Sequence, residues 1–143
     1  MKIDTDLISE LKTLSLTSNH PKVWVAAALV HRGRVISYGV NNMKTHPYQH
    51  KYGRNNECVY WHAETLAIYN ADKKLGFKKF SKSELYVVRL KYDSSDKIKL
   101  IQGLAKPCPG CMRCIDDYSI PNIIYTLDHH EKAISHYGIL TLD

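Results

Sequence analysis

The sequence contains no run of 18 or more apolar residues, so no helix is predicted to span a membrane. Its amino terminus, MKIDTDLISELK, carries charges where a signal peptide has an uninterrupted apolar stretch. Internal repeats and low-complexity segments are also absent. We therefore expect a soluble, cytoplasmic protein with no membrane partner. A length of 143 residues at 44% hydrophobic is typical of one globular domain, residues 1–143.

Cysteine is scarce, yet three of the four cysteines lie close together in KPCPGCMRC, residues 106–114. Without an export signal these thiols are expected to stay reduced, and the spacing of Cys108, Cys111 and Cys114 would close poor disulfide loops. Thiolate binding of a metal is therefore the first functional hypothesis. The net charge of +6 favours anionic partners such as nucleotides or nucleic acid, but it does not choose between them.

Periodicity and turn residues predict three helices and four strands. The helices are predicted over residues 4–15, 62–76 and 108–118. The strands are predicted over residues 22–30, 34–40, 84–90 and 122–127, the first two joined by a tight turn at Gly33. Residues 41–61 are predicted to be a long loop, and residues 91–106 a polar excursion. A short helix and a fifth strand in the tail would complete a three-layer α/β/α sandwich with a mixed sheet of four to five strands.

A catalytic zinc ion takes three protein ligands and leaves its fourth position to water. Cys108 and Cys111 begin one predicted helix, where they lie ~4.5 Å apart along the axis, and His62 begins another. The positive end of each helix dipole favours bound thiolates. Cys114 lies ~9 Å along the helix from Cys108 and is predicted to be a buried structural thiol.

Glu64 lies two residues after His62, at a spacing that does not share one face within a regular helix. We therefore expect His62 at the helix cap or first turn, where its ring reaches the metal while Glu64 reaches the substrate. A carboxylate there would take a proton from water and pass it to the substrate. On its own, HAE is more typical of an ordinary helix start, and the downstream PCPGC changes that interpretation.

HAE at residues 62–64 and PCPGC at residues 107–111 resemble the H-x-E and P-C-x-x-C signature of the zinc-dependent cytidine/deoxycytidylate deaminase superfamily. The His-Cys-Cys set is similar to that of the deoxycytidylate, tRNA-adenosine and polynucleotide-editing branches. The resemblance implies one Zn²⁺ per chain, held by His62, Cys108 and Cys111. It also implies that Glu64 is catalytic in converting cytosine to uracil with release of ammonia, and that family members assemble as homo-oligomers.

By the same resemblance, Asn41 in GVN contacts the sugar, and the backbone N–H of Ala63 and groups near Pro107 hold the base edge. The chain departs from the editing and tRNA branches in the 42 residues that separate Glu64 from Pro107, among which residues 91–106 are interpreted as an insertion.

Three functions stay open at this point. The first is deamination of a free nucleotide, most simply dCMP, with the phosphate contacted by one of four basic side chains. These are Lys44, Lys51, Arg54 and Arg113. The second is deamination of a base in single-stranded DNA or RNA, including tRNA, by a chain whose loop aromatics stack the bases. These aromatics are Tyr48, Tyr52, Tyr60 and Trp61. The third is a non-catalytic nucleic-acid-binding module with a closed zinc site, completed by Cys58.

Overall fold

A mixed β-sheet forms the centre of the molecule in the computed structural model, which describes residues 2–53, 59–95, 98–128 and 137–141. The six strands are β1 (Val23–His31), β2 (Arg34–Val40), β3 (Ser83–Tyr92), β4 (Leu100–Gly103), β5 (Asn122–Thr126) and β6 (Tyr137–Thr141). Their order is β2-β1-β3-β5-β6, and β4 pairs with β3 beyond that path. Only β3 and β5 run parallel, and every other pair is antiparallel.

Helices cover both faces of the sheet, which confirms the predicted three-layer sandwich. They are α1 (Thr5–Ser15), α2 (Pro47–Gly53), α3 (Ala63–Leu75) and α4 (Pro109–Asp117), with a 3₁₀ helix at Phe77–Lys82. Helix α1 packs on one face, where Leu7 and Leu11 are buried, and α3 and α4 pack on the other. No helix in the described ranges combines the length and apolar character needed to cross a bilayer.

The central strands are buried on both sides because each face of the sheet has its own core. In β1, Ala27 and Leu29 face α3, whereas Ala26 and Ala28 face α1. This explains why the strand reads as a continuous apolar run instead of an alternating one. The predicted turn after β1 is also confirmed, because Gly33 has a φ of 81°, which a glycine adopts without strain.

Three parts of the chain differ from the sequence prediction. The predicted loop 41–61 contains helix α2, because Gln49, Tyr52 and Gly53 are buried against the rest of the molecule and tertiary packing stabilises a short helix with weak periodicity. The predicted excursion 91–106 includes the end of β3 and the whole of β4, which pair as a hairpin. Strand β6 confirms the predicted closing strand, so the sheet has six strands in place of four to five, and the predicted short helix before it falls outside the described residues.

Candidate metal centre and active-site pocket

His62 is the N-cap residue of α3. Its backbone is extended, with φ of −87° and ψ of 152°, and its side chain makes no capping hydrogen bond. Because the ring is not used as a cap, it is free to point away from the helix axis. Glu64 lies in the first turn of α3. His62 is therefore at the helix cap, as expected from its spacing to Glu64.

Cys108 occupies the matching position in α4. It is the N-cap residue, has φ of −70° and ψ of 167°, and makes no side-chain capping hydrogen bond. Pro109 follows in the first turn, where its missing N–H costs no intrahelical hydrogen bond. Cys111 comes one turn later and is fully buried. The two ligand-bearing helices thus start in the same way, at residues whose side chains are turned away from capping.

The two helix starts bring three metal-ligating atoms together. The Nδ1 atom of His62 lies 3.6 Å from the Sγ atom of Cys108 and 3.3 Å from the Sγ atom of Cys111. All three ligand atoms lie within 4.8 Å of one another. Tetrahedral zinc with bonds of about 2.0 Å to nitrogen and 2.3 Å to sulfur would separate these atoms by about 3.5 to 3.8 Å. The residues therefore fit a single tetrahedral ion.

The three candidate ligands interact with one another, and these interactions shift their pKa values. A hydrogen bond from Cys111, with a further one from His62, holds the pKa of the Cys108 thiol well below its usual range. The hydrogen bond to Cys108 raises the pKa of His62 and outweighs the opposing effect of burial. A thiolate is thus already favoured at Cys108, which is the protonation state that a metal requires.

Glu64 lies beside this group and is almost completely buried, with 6% of its surface exposed. Burial raises the pKa of its carboxyl group, and the positive charge of His62 opposes that shift. Cys111 also contributes a side-chain hydrogen bond to the carboxylate. A carboxyl group with a raised pKa beside metal ligands is suited to accept a proton and release it again.

These groups open onto a pocket of about 390 Å³. His62, Ala63, Glu64 and Cys108 line this pocket, and so does Asn41. The Asn41 side chain is anchored to β1, since its Oδ1 accepts from Val25 N at 2.9 Å and its Nδ2 donates to Val23 O at 3.2 Å. All the residues predicted from the motif are therefore gathered at this pocket, with Cys111 directly behind it.

A comparison with protein families finds that residues 1–127 match the model described as the cytidine and deoxycytidylate deaminase zinc-binding region. The chain belongs to this deaminase family. Membership makes the protein a zinc-dependent hydrolytic deaminase, and the metal-ligating group of His62, Cys108 and Cys111 falls inside the matched region. A search of curated proteins finds no match.

Solved structures of low sequence identity share the fold. A cytidine deaminase from Burkholderia pseudomallei aligns at 18% identity with a TM-score of 0.60, covering 98% of this chain and 93% of that one. The apo dCMP deaminase of cyanophage S-TIM5 aligns at 22% identity with a TM-score of 0.58, covering 89% and 86%. The same phage enzyme with dCMP and dUMP aligns at 18% identity with a TM-score of 0.57, covering 90% and 85%.

Helix α2, which sequence patterns missed, braces both halves of the deaminase zinc group. The Gln49 side-chain oxygen accepts hydrogen bonds from His62 N, at 3.1 Å, and from the Thr65 hydroxyl. On the other side, Arg113 of α4 donates to the backbone oxygens of Tyr52 and Gly53. No motif could have identified Gln49, because its partners are distant in sequence and are brought to it only by folding.

The described residues among those predicted to meet a phosphate, Lys44, Lys51 and Arg113, do not line this pocket. The Arg113 guanidinium is committed to α2, and the Lys51 ammonium lies 5.1 Å from the Tyr52 ring centroid. Lys44 borders a neighbouring groove, and Arg54 falls outside the described residues. Among the described residues that line the deaminase pocket, the basic side chains besides that of the metal ligand His62 are those of His20, Arg89 and Lys106. For Arg89, the sequence signal was a lone arginine inside the apolar strand segment VVRL.

The predicted stacking aromatics divide into two groups. Tyr48 packs on Tyr52 and Tyr69 with ring centroids 5.3 and 4.9 Å away, so the structure uses Tyr48 and Tyr52 in the core and not in the pocket. Trp61 lines the pocket but is only 7% exposed, whereas Tyr60 lines it and is 41% exposed. Only Tyr60 therefore offers a broadly accessible ring.

The two remaining cysteines are Cys114 and Cys58. Cys114 is completely buried, and its Sγ atom lies 3.4 Å from the Tyr48 hydroxyl, which confirms the predicted structural thiol. Burial raises its pKa to about 12, so it stays protonated. Cys58 lies outside the described residues.

Proposed function

We propose that the protein deaminates the cytosine of a free nucleotide, dCMP or a close relative, to uracil with release of ammonia. The observation that carries the proposal is that a three-ligand metal group and the buried carboxyl group of Glu64 meet at one pocket. The basic side chains of Arg89 and Lys106 line the same pocket and suit an anionic substrate. The phage structure that shares the fold contains dCMP and dUMP, which supports a nucleotide of this class.

His62, Cys108 and Cys111 would hold the zinc ion. When bound, zinc supplies a water whose pKa is lowered to about 7, so that a nucleophile forms at neutral pH. Glu64 carries one proton of the attacking water to the ring nitrogen and the other to the departing amine. The C4–N bond then breaks, ammonia leaves, and the water oxygen remains as the C4 carbonyl. Nothing is oxidised or reduced.

Ala63 and Asn41 would position the substrate. Ala63 is the first residue of α3, and N–H groups in a first helical turn have no intrahelical partner, so its N–H can meet the base edge. Asn41 is fixed by two hydrogen bonds to β1, yet its amide keeps one further N–H and one further oxygen lone pair for a sugar hydroxyl. Both contacts follow from the family resemblance.

A closed structural zinc site is the competing function. Within the described ranges, the metal-ligating group contains three residues and no fourth His, Cys, Asp or Glu. Cys58→Ala is the direct test. We expect the variant to retain one zinc per chain by elemental analysis, whereas loss of zinc would support a fourth ligand and a non-catalytic module.

The function is tested by measuring ammonia release over a panel of substrates. The panel contains cytosine, adenine and guanine nucleosides, their mono- and triphosphates, and short single strands. We expect turnover of cytosine monophosphates and none with Glu64→Ala, which should still bind zinc. Turnover confined to oligonucleotides, with steep loss as salt increases, would instead favour the polynucleotide function.

The predicted homo-oligomer stays a prediction for this chain. Light scattering coupled to size exclusion measures the mass directly against the 16.4 kDa of one chain. A mass at a whole multiple of that value, stable on dilution, is the expected result, and a single-chain mass at all concentrations would contradict it.

A further inference from the structure

Arg89 is a positively charged residue that lines the pocket. It lies near the end of β3, between β1 and β4. Its Nε atom is buried and has no hydrogen-bond partner. The guanidinium forms no ion pair with any residue that the structure describes, since the ion pair found there joins Lys91 to Asp128. A buried donor left without a partner is costly. The Nε atom of Arg113 is unpartnered in the same way, but that guanidinium is bonded to α2, whereas Arg89 lines the pocket, where a ligand can reach it.

His20 adds a neutral hydrogen-bond donor to the same region. Its Nδ1 atom accepts from the backbone N–H groups of Lys22 and Val23, at 3.1 and 3.2 Å. The ring proton therefore sits on Nε2, which has no partner among the described residues. Burial lowers the pKa of His20, and the charges of Lys22 and Arg89 lower it further, so the ring is neutral at pH 7.

Lys106 supplies a second positive charge to the pocket lining. It lines the pocket and is exposed, two residues before Cys108. Glu64 is the one carboxylate among the described residues that line the pocket, and it lies beside the metal ligands. The charge of Arg89 and Lys106 is therefore not neutralised within the pocket.

The chemistry of these groups selects a phosphate. A guanidinium presents planar paired donors that match two oxygens of a phosphate, and it does so better when it is partly desolvated. The Lys106 ammonium and the His20 imidazole N–H can each donate a further hydrogen bond to the phosphate. The pocket volume of about 390 Å³ lies within the range of about 300 to 1,000 Å³ for small-ligand sites, and Arg89 and Glu64 both line it.

We propose that Arg89, assisted by Lys106 and the His20 ring, binds the 5′-phosphate of the substrate and makes the enzyme select nucleoside monophosphates over nucleosides. This inference rests on the proposed function, because it assigns the phosphate to the substrate whose base meets Glu64. It differs from the sequence-based expectation, which gave this role to Lys44, Lys51, Arg54 or Arg113.

The test compares Arg89→Gln with Arg34→Gln. Arg34 is exposed at the start of β2 and does not line the pocket, so its substitution makes the same change in net charge away from the site. For Arg89→Gln we expect kcat/KM for dCMP to fall by about 10- to 100-fold, as for the loss of a charged hydrogen bond. Activity on deoxycytidine should change by less than about threefold, and Arg34→Gln should match the wild type on both substrates.

Arg89→Lys is the conservative variant and should recover part of the dCMP activity, because it keeps the charge and loses the paired donors. Equal losses on dCMP and deoxycytidine, with the same loss of thermal stability, would show that Arg89 is structural and overturn the proposal. Unchanged dCMP activity would also overturn it.

A binding measurement separates this inference from the proposed function. Zinc-loaded Glu64→Gln is titrated calorimetrically with dCMP, deoxycytidine and inorganic phosphate, with and without Arg89→Gln. We expect dCMP to bind more tightly than deoxycytidine, and that advantage to disappear with Arg89→Gln. This result would stand even if no cytosine nucleotide were turned over. Equal affinities for dCMP and deoxycytidine, whether or not turnover occurs, would contradict the phosphate site.

Discussion

Two sets of residues at the pocket are built in opposite ways. The zinc end, defined as His62, Cys108, Cys111 and Glu64, has Glu64 and Cys111 buried and its ligand helix starts held by hydrogen bonds to α2. In the cationic set, the guanidinium of Arg89 has a buried donor without a partner among the described residues, and Lys106 is exposed. The protein thus fixes the zinc end with its own hydrogen bonds, whereas Arg89 and Lys106 keep donors for a ligand. Reactive groups need fixed positions, whereas recognition groups need free donors.

Removing the metal gives the largest expected effect and is confined to the zinc end. We expect chelation to abolish turnover and zinc to restore it. In the metal-free protein, iodoacetamide at pH 7 should alkylate Cys108, whose pKa is lowered, and spare Cys114, whose pKa is raised to about 12. Mass spectrometry of the labelled peptides measures both, and zinc should protect Cys108. Labelling of Cys114 before Cys108 would contradict this contrast.

Glu64→Gln comes next, because it removes proton transfer and keeps the shape of the side chain. The expected fall in kcat is about 10²- to 10⁴-fold, the usual contribution of general acid–base catalysis. Zinc content by elemental analysis and affinity for dCMP should change little, since the substitution leaves both the metal ligands and Arg89 in place. A variant that retains more than a tenth of the wild-type kcat would remove Glu64 from the mechanism.

Gln49→Leu tests whether α2 positions the zinc end from behind. Loss of the oxygen that accepts from His62 N and Thr65 Oγ1 should weaken zinc binding by about 10- to 100-fold, as for other groups that orient metal ligands. The matched control is Gln102→Leu, which also removes a buried amide bonded to a backbone group, Leu127 O, but lies outside the pocket. Competition with a chelator measures the affinities. Equal changes in both variants would show a general loss of stability.

Tyr48→Phe gives the smallest effect and bears on neither set of residues directly. Its hydroxyl donates to Tyr118 at 2.9 Å and contacts Cys114, so we expect a loss of about 0.5 to 1.5 kcal/mol in the free energy of unfolding. Tyr38→Phe, whose exposed hydroxyl donates to Glu10, should change stability by less than about 0.5 kcal/mol. Denaturant unfolding measures both variants. A loss of zinc from Tyr48→Phe would mean that this contact extends to the metal.

The same contrast decides how far the sequence could be interpreted. The zinc end was predictable because His62, Cys108 and Cys111 are fixed by local motifs, each at the start of a helix with a clear period. The strands of the central sheet were predictable for the same reason, since their apolar runs are continuous. Local signals were enough wherever the functional residue and its supporting element are adjacent in the chain.

Most of the rest depended on contacts between residues that are far apart in sequence. Helix α2 is stabilised by partners that no local pattern reveals, as Gln49 shows through its bond to His62. Strand β4 pairs with β3 as a local hairpin, and it was missed because it lies in a polar segment. The sequence placed Arg89 only within a strand, and the fold is needed to show that it lines the same pocket as Lys106. For the same reason, the sequence could not show that Lys51 and Arg113 lie outside the pocket lining and that Arg113 is bonded to α2.

X-ray absorption at the zinc edge tests the central claim most directly. The three-ligand group predicts two sulfur atoms at about 2.3 Å and two lighter atoms, one nitrogen and one oxygen, at about 2.0 to 2.1 Å. Addition of dCMP to Glu64→Gln should alter the signal of the lighter atoms and leave both sulfurs in place. Three sulfur atoms around the zinc, or a spectrum that dCMP leaves unchanged, would mean a closed site and would contradict the enzyme.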